Sequence, residues 1–376
     1  MKRRAFLIAS WGMLLSACTA TDVYRGVVTV RRLQRGDVGG AITTHLPSGG
    51  HLLGSYSYKT LLRQLLNHVA RQWGDQKLPR RREVVKYTDH YRSRALIDFA
   101  QGAITVETQS DKAALQRAIV LTLLAPEDPS QFDLFSAAPP KPGRTPFLYQ
   151  LVVDHTGKPI RWRWRAQRFA AWLIRHKLQR QRDKQGKPRL RVTFAMVDDF
   201  PQVQQGKYAA HVLRHSRRYK LDPALIWAIM AVESSFNPWA VSRAPAYGLM
   251  QIVPHTAGRD VYRFLHGKDG MPTPQTLFVP AHNIEYGCTY LHLLNRRYLA
   301  GIAHPLSREY CMIAAYNTGA GNVLRAFDRN RHRALKRINR MGPQQVYRHL
   351  RTHLAHSEAR RYVQKVVRAK ARYRHS

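Results

Sequence analysis

Acidic residues are scarce in this chain of 376 residues: 23 Asp+Glu stand against 62 Lys+Arg, a formal charge of +39 at pH 7. No basic tail accounts for the imbalance, because residues 201–376 hold 28 basic and 8 acidic residues and residues 1–200 hold 34 and 15. Such a charge implies a polyanionic partner: nucleic acid, an anionic membrane surface or an anionic cell-envelope polymer. Composition alone does not choose among them. Residues 1–200 contain no glycine-rich phosphate loop, no paired metal ligands and no nucleophile motif. His211 and His215 have the i, i+4 spacing of a metal pair, but neither an HExxH glutamate nor a third ligand accompanies them. No metal and no cofactor is therefore expected. What the chain does have is 44% hydrophobic content, which excludes wholesale disorder, and length enough for two domains.

Cysteine is also rare, at three residues. The first decides the compartment. Lys2, Arg3 and Arg4 precede an apolar run, residues 5–15, that is too short to span a bilayer and has the layout of a secretory signal. Leu15-Ser16-Ala17-Cys18 resembles the lipobox of bacterial lipoproteins. The resemblance implies removal of residues 1–17 and lipidation of Cys18, whose several acyl chains would anchor the chain firmly where one would not. Thr19, in place of aspartate, implies by the same analogy the outer membrane, with the chain facing the periplasm. Export argues against nucleic acid as the partner. Cys288 and Cys311 fall on two expected neighbouring helices in an oxidising compartment, which leaves a disulfide and two buried thiols both open.

Residues 18–55 carry several glycines and a basic cluster at Arg31, Arg32 and Arg35, as a tether would. Residues 56–200 read as a small α+β domain. An amphipathic helix is expected at 58–73, a hairpin at 94–99 and 103–108, a helix at 111–124, a second hairpin at 147–153 and 159–164, a helix at 166–182 and a strand at 190–197. Trp162, Trp164 and nearby arginines could contact sugar or polyanion, but aromatic residues on a hairpin more often fill a core. From residue 201 to 376 the period is helical. Helices are expected at 208–219, 223–233, 283–298, 307–316, 344–354 and 359–370, an all-α domain.

The organising stretch is 221–256. Asp222 can cap a helix whose first position is Pro223, and the apolar run that follows ends in Glu233. Met230, Ile229 and Ile226 lie three, four and seven positions before it, which places this carboxylate on the apolar face of its helix. Desolvation and the negative end of the helix dipole both favour its protonated form, the form a general acid needs. The other carboxylates of the domain have plainer readings. Asp222 is a cap, Glu285 sits in the first turn of its expected helix, Asp260, Asp269, Glu309 and Asp328 lie in loops or at helix starts beside basic residues, and Glu358 precedes the last helix. Ordinary glycosidases use two carboxylates at a set separation. None is offered near Glu233, so either the chain is no glycosidase or the substrate supplies the second group.

Four motifs make the reading specific: Glu233-Ser234-Ser235-Phe236-Asn237-Pro238, Gly248-Leu249-Met250-Gln251-Ile252, Ala315-Tyr316-Asn317 and Glu358-Ala359-Arg360-Arg361-Tyr362-Val363. In this order and spacing they resemble the lytic transglycosylases with a goose-type lysozyme fold. Upstream, VVKYTDHYRSRALIDF and PFLYQLVVDHTGKPIRW are similar to the amino-terminal domain of membrane-bound members. The resemblance implies a lysozyme-like catalytic domain behind the α+β domain, with peptidoglycan glycan strands as substrate and other cell-wall enzymes as possible partners. It implies that Glu233 protonates the MurNAc–GlcNAc β-1,4 bond, then takes the proton of the C6 hydroxyl as a 1,6-anhydro end closes without water. It makes Ser242, Met250, Gln251, Tyr316, Asn317 and Tyr362 the substrate-binding candidates, although Met250 and Tyr316 are residue types that more often fill a core. Tyr247 and Thr318 depart from the family pattern, the first as a residue that could narrow a subsite. The rival readings are a hydrolase with the same acid and a water nucleophile, a wall-binding protein without catalysis, and a nucleic-acid binder retained in the cytoplasm.

Overall fold

Alternating apolar residues build an antiparallel sheet of five strands in the order β1-β2-β3-β5-β4: β1 Glu83–Thr88, β2 Ser93–Asp98, β3 Ala103–Thr108, β4 Gln179–Arg182 and β5 Pro188–Ala195. The computed structural model describes residues 69–374 except 71, 76, 129–136, 141, 142, 184 and 243–245. The signal segment, Cys18, the tether and most of the helix expected at 58–73 lie outside the described residues. β2 and β3 form the first expected hairpin, with Ile97 opposite Ile104. Val84, Ile97, Ile104, Val106 and Val192 bury one sheet face against α1, Lys112–Leu123, and α2, Arg163–Lys177. Asp111 starts α1 by accepting a hydrogen bond from the Ala114 amide at 2.7 Å.

Three expectations for this domain fail. The second hairpin is absent: one isolated bridge, Val153 to Pro159, joins its halves. Phe147, Leu148, Leu151 and Val152 are all buried, a spacing of turns and not of strands, while Asp154 gathers the amides of Thr156 and Lys158 at 2.9 and 3.1 Å. The helix expected to run to 182 ends at Lys177, because its last residues are taken into the sheet as β4, paired with β5. Trp162 and Trp164 are not core. They are 57% and 53% exposed at the start of α2, with the guanidinium groups of Arg161 and Arg165 over their rings.

The rest is helical: α3 Phe200–Tyr219, α4 Pro223–Ser234, α5 Arg259–His266, α6 Pro274–Phe278, α7 Pro280–Leu293, α8 Pro305–Thr318, α9 Ala320–Phe327, α10 Arg331–Arg340, α11 Pro343–His353 and α12 Ser357–Tyr373. Proline at the first position sets the start of α4, α6, α7, α8 and α11, where its missing amide costs nothing. Residues 283–298 are not one helix, since α7 passes into a wide π turn at Leu294–Tyr298. α5, α6, α9 and α10 were not expected; none exceeds 10 residues, too short for an apolar period to stand out. α12 lies along α4, and its buried Lys370 donates to Glu309 of α8 at 2.6 Å and pairs with the Asp222 cap of α4 at 2.8 Å. Glu309, near the start of α8, is thus the partner of a buried lysine and not a solvated or capping carboxylate. Cys288 and Cys311 resolve to two free, buried thiols.

The two units share their cores. α3 begins among the first domain's apolar side chains with Phe200 and Val203 and ends in the second's with Tyr208 and Val212. Trp239, in the loop after α4, is 1% exposed and belongs to the first domain's core, its ring centroid 4.3 Å from that of Phe147. Trp239→Ala should therefore destabilise the whole chain by about 3–5 kcal/mol in urea unfolding, although the residue belongs to the helical segment by sequence.

Candidate active site

α4 carries Glu233 one residue from its carboxyl-terminal end. Leu225, Ile226, Ile229 and Met230 are buried along it, and Tyr362, Val363 and Val366 of α12 are buried in the same core. Glu233 is 4% exposed. The chain then reverses through two non-glycine residues in the left-handed region, Ser235 at φ 52° and Phe236 at φ 62°. Such backbone persists where its surroundings over-determine it. Ser234 donates to the Leu249 carbonyl at 2.7 Å, and Asn237 accepts from the Trp239 amide at 3.0 Å while donating to the Arg81 carbonyl at 3.2 Å. Backbone strain and polar anchoring thus meet beside the carboxylate.

The loop carrying Gly248 to Ile252 is closed by reciprocal backbone hydrogen bonds between Tyr247 and Ile252. Gly248 has φ +75°, and a Cβ there would run into Asn283 and the Leu277 carbonyl, so only glycine fits. Asn283 of α7 is the staple: it donates to the carbonyls of Tyr247 and Leu277 at 2.8 and 2.7 Å and accepts from the Met250 amide at 2.7 Å. Sequence reasoning missed it. Its signal was a polar residue at a position the helical period assigns to the core.

Burial pushes the Glu233 carboxyl up to about 7. Opposing that are the Arg81 guanidinium, 3.9 Å away, and the neighbouring buried hydroxyl of Tyr362. The negative charge of Glu358 raises it further, and Arg82 lowers it. Arg81 also lies 3.6 Å from Glu358, which sits in the first turn of α12. Neither arginine was foreseen, since both come from residues well over 100 positions upstream.

The expected site residues separate into two sets. Tyr362 and Tyr316 converge on Glu233; both hydroxyls are buried and feel its charge, and Tyr316 donates to the Met250 carbonyl at 2.8 Å. Gln251, in the left-handed region at φ 49°, donates to the carbonyls of Ala240 and Gly248 at 3.1 and 3.0 Å, which fixes the loop. Ser242 accepts from the Ala246 amide at 3.2 Å, a turn-forming bond. Met250 is fully buried, packed against Gly287 of α7. Asn317 is half-buried in the last turn of α8. Tyr247 is buried edge-on to Phe278, centroids 5.6 Å apart, and is core packing. Glu285 lies beyond the first turn, because α7 starts at Pro280, and pairs with Arg218 at 3.8 Å. Among the described residues no group of His, Cys, Asp or Glu is arranged to hold a metal, and no helix is long and apolar enough to cross a membrane.

Residues 211–339 match the transglycosylase SLT domain, so the helical unit is a lytic transglycosylase domain. Residues 51–207 match the amino-terminal domain of membrane-bound lytic murein transglycosylase C. The chain is 44% identical over 323 residues to membrane-bound lytic murein transglycosylase C of Klebsiella pneumoniae, covering 84% of this chain and 89% of that protein. It is 45% identical over 313 residues to the protein of that name from Mannheimia succiniciproducens, covering 83% and 87%. The crystal structure of the 70 kDa soluble lytic transglycosylase of Escherichia coli is similar over 45% of this chain and 24% of its own, at 25% identity and a TM-score of 0.35. The chain belongs to the membrane-bound lytic murein transglycosylase C family.

Holding a carboxylate this way costs stability, and the cost depends on pH. The folded chain binds the Glu233 proton more tightly than the unfolded chain, so stability falls as pH rises from about 4.5 through about 7. Glu233→Gln should accordingly raise the melting temperature at pH 8, by up to about 3 kcal/mol of stability, and leave it unchanged at pH 4. Melting curves of the two proteins at both pH values check this.

Proposed function

We propose that the enzyme cleaves the MurNAc-β-1,4-GlcNAc bond of peptidoglycan with Glu233 acting first as acid and then as base. The observation that carries this reading is one buried carboxyl, raised to about 7 and held between the Tyr362 hydroxyl and Arg81. A group with that proton affinity is half protonated near neutrality and can serve in both directions. In the first step Glu233 protonates the glycosidic oxygen as the C1–O bond breaks toward an oxocarbenium-like state, assisted by the substrate's own N-acetyl group. The carboxylate left behind accepts a hydrogen bond from Tyr362 and faces Arg81. In the second step it takes the proton of the C6 hydroxyl of the same MurNAc, whose oxygen closes on C1. The product is a 1,6-anhydroMurNAc end, and no water is consumed.

The reading extends to the remaining residues. Gln251, Met250 and Ser242 belong to the loop region beside the carboxyl and Tyr316 is bonded to that loop, so their contribution to substrate binding is chiefly the placing of backbone groups, while Asn317 and Tyr362 would meet the substrate directly. Anchoring through a lipid on Cys18 to the outer membrane, with both domains in the periplasm, agrees with the membrane-bound naming of the relatives. The basic surface favours the anionic wall and permits contact with other cell-wall enzymes.

Purified enzyme and its Glu233→Gln variant, incubated with murein sacculi, test the chemistry. The variant should lose at least about 1,000-fold in activity. Mass spectra of the native digest should show muropeptides one water lighter than reducing fragments. A digest of reducing ends alone would make the enzyme a hydrolase, and equal clearing by both proteins would leave it a wall-binding protein.

A further inference from the structure

Among the described residues, the cations that bear most strongly on Glu233 are not those of the helical domain. α8 contributes Tyr316, and α12 contributes Tyr362 and the acid Glu358. The positive charges that act on the carboxyl, Arg81 and Arg82, come from the other domain, from the segment directly ahead of β1. That segment is fastened to the end of α4 at Arg81 itself and at the residue after it. Asn237 donates to the Arg81 carbonyl at 3.2 Å, and Arg82 donates to the Val232 carbonyl at 3.1 Å. With these clamps in place one nitrogen of Arg81 stands 3.9 Å from Glu233 and 3.6 Å from Glu358. Glu358, 67% exposed in its side chain, is free to hold the guanidinium without being buried itself.

We propose that Arg81 is a positioning residue for Glu233: a cation delivered by the amino-terminal domain, tethered by Glu358, that balances the carboxylate once its proton has gone to the substrate. The inference rests on the acid–base assignment above. Before proton transfer the carboxyl is neutral and Arg81 is engaged with Glu358. After transfer a negative charge stands in a buried place, and the neighbouring guanidinium stabilises it there without moving far. The two flanking charges act in opposite senses. Removing Arg81 makes Glu233 a weaker acid, and removing Glu358 makes it a stronger one, both because a like charge is gone and because Arg81 is released toward Glu233.

The test is the pH dependence of kcat/KM on soluble murein fragments for the full chain and its Arg81→Gln, Arg81→Lys, Glu358→Gln and Glu233→Gln variants. Activity requires protonated Glu233, so it falls on the alkaline side through that group's titration. Arg81→Gln should move this alkaline limb up by about one pH unit and lower kcat about tenfold; Arg81→Lys should restore most of the limb. Glu358→Gln should move the limb down by about half a unit. A purely structural role would lower activity in all three with no opposed shifts. Limbs that stay in place, or that move in one direction for Arg81→Gln and Glu358→Gln alike, overturn the inference. If Glu233→Gln keeps full activity, the acid–base assignment itself falls; if that variant is inactive and the limbs do not move, only the role of Arg81 falls.

Discussion

A carboxyl group in an apolar helix interface is an expensive object, and the helical domain is built around keeping one there. Glu233 lies where α4 meets α12, among residues that are themselves fully buried. Leaving a charge in such a place would be costly, so the proton is held tightly and the site stores a group ready to give it up. The Lys370 bridge to Asp222 and Glu309 fixes α4, α8 and α12 relative to one another. Without that fixed frame the carboxyl could turn toward water and behave as any surface glutamate.

Geometry downstream of the acid follows from the same constraint. The helix must stop at once, and Ser235 and Phe236 do this in a backbone region that few residues adopt. The backbone around the carboxyl is held by Ser234, Gln251 and Asn283 on the Gly248–Ile252 loop and by Asn237 on the turn after α4, each hydrogen-bonded to backbone groups. Side chains that resemble substrate contacts in the primary structure thus turn out, for Gln251 and Ser242, to spend their hydrogen bonds on shaping the loop. Rigid support for a reacting group is worth more than an extra contact, because misplacement by an ångström weakens proton transfer sharply.

Local information made part of this legible. The Asp222–Pro223 start, the helical phase that buries Glu233, the first hairpin and the α1 cap all depend on residues within a few positions of one another, where periodicity and capping apply directly. The second hairpin failed because the apolar residues of 147–153 pack as consecutive turns, in which the amides of Leu151 and Val152 return to the Leu148 carbonyl. The exposed pair Trp162 and Trp164 was misjudged because burial is decided by which elements come to lie above them. Arg81 and Asn283 were missed for a third reason. Arg81 meets a partner that only the docking of two domains supplies, and the partners of Asn283 are loop backbone groups, most of them some 30 residues away, that its place on the helix does not specify.

Trp239 has a wider meaning. It is encoded within the helical segment and packed inside the other domain, so the boundary between the two units is a line in the sequence and not a seam in the molecule. A gene fusion or truncation that carried away the helical segment alone would leave an indole without its socket. It would also leave an acid without the charges that come from ahead of β1. The amino-terminal domain is therefore part of the support of the helical one. A change in either part is felt in the other through the core that they share.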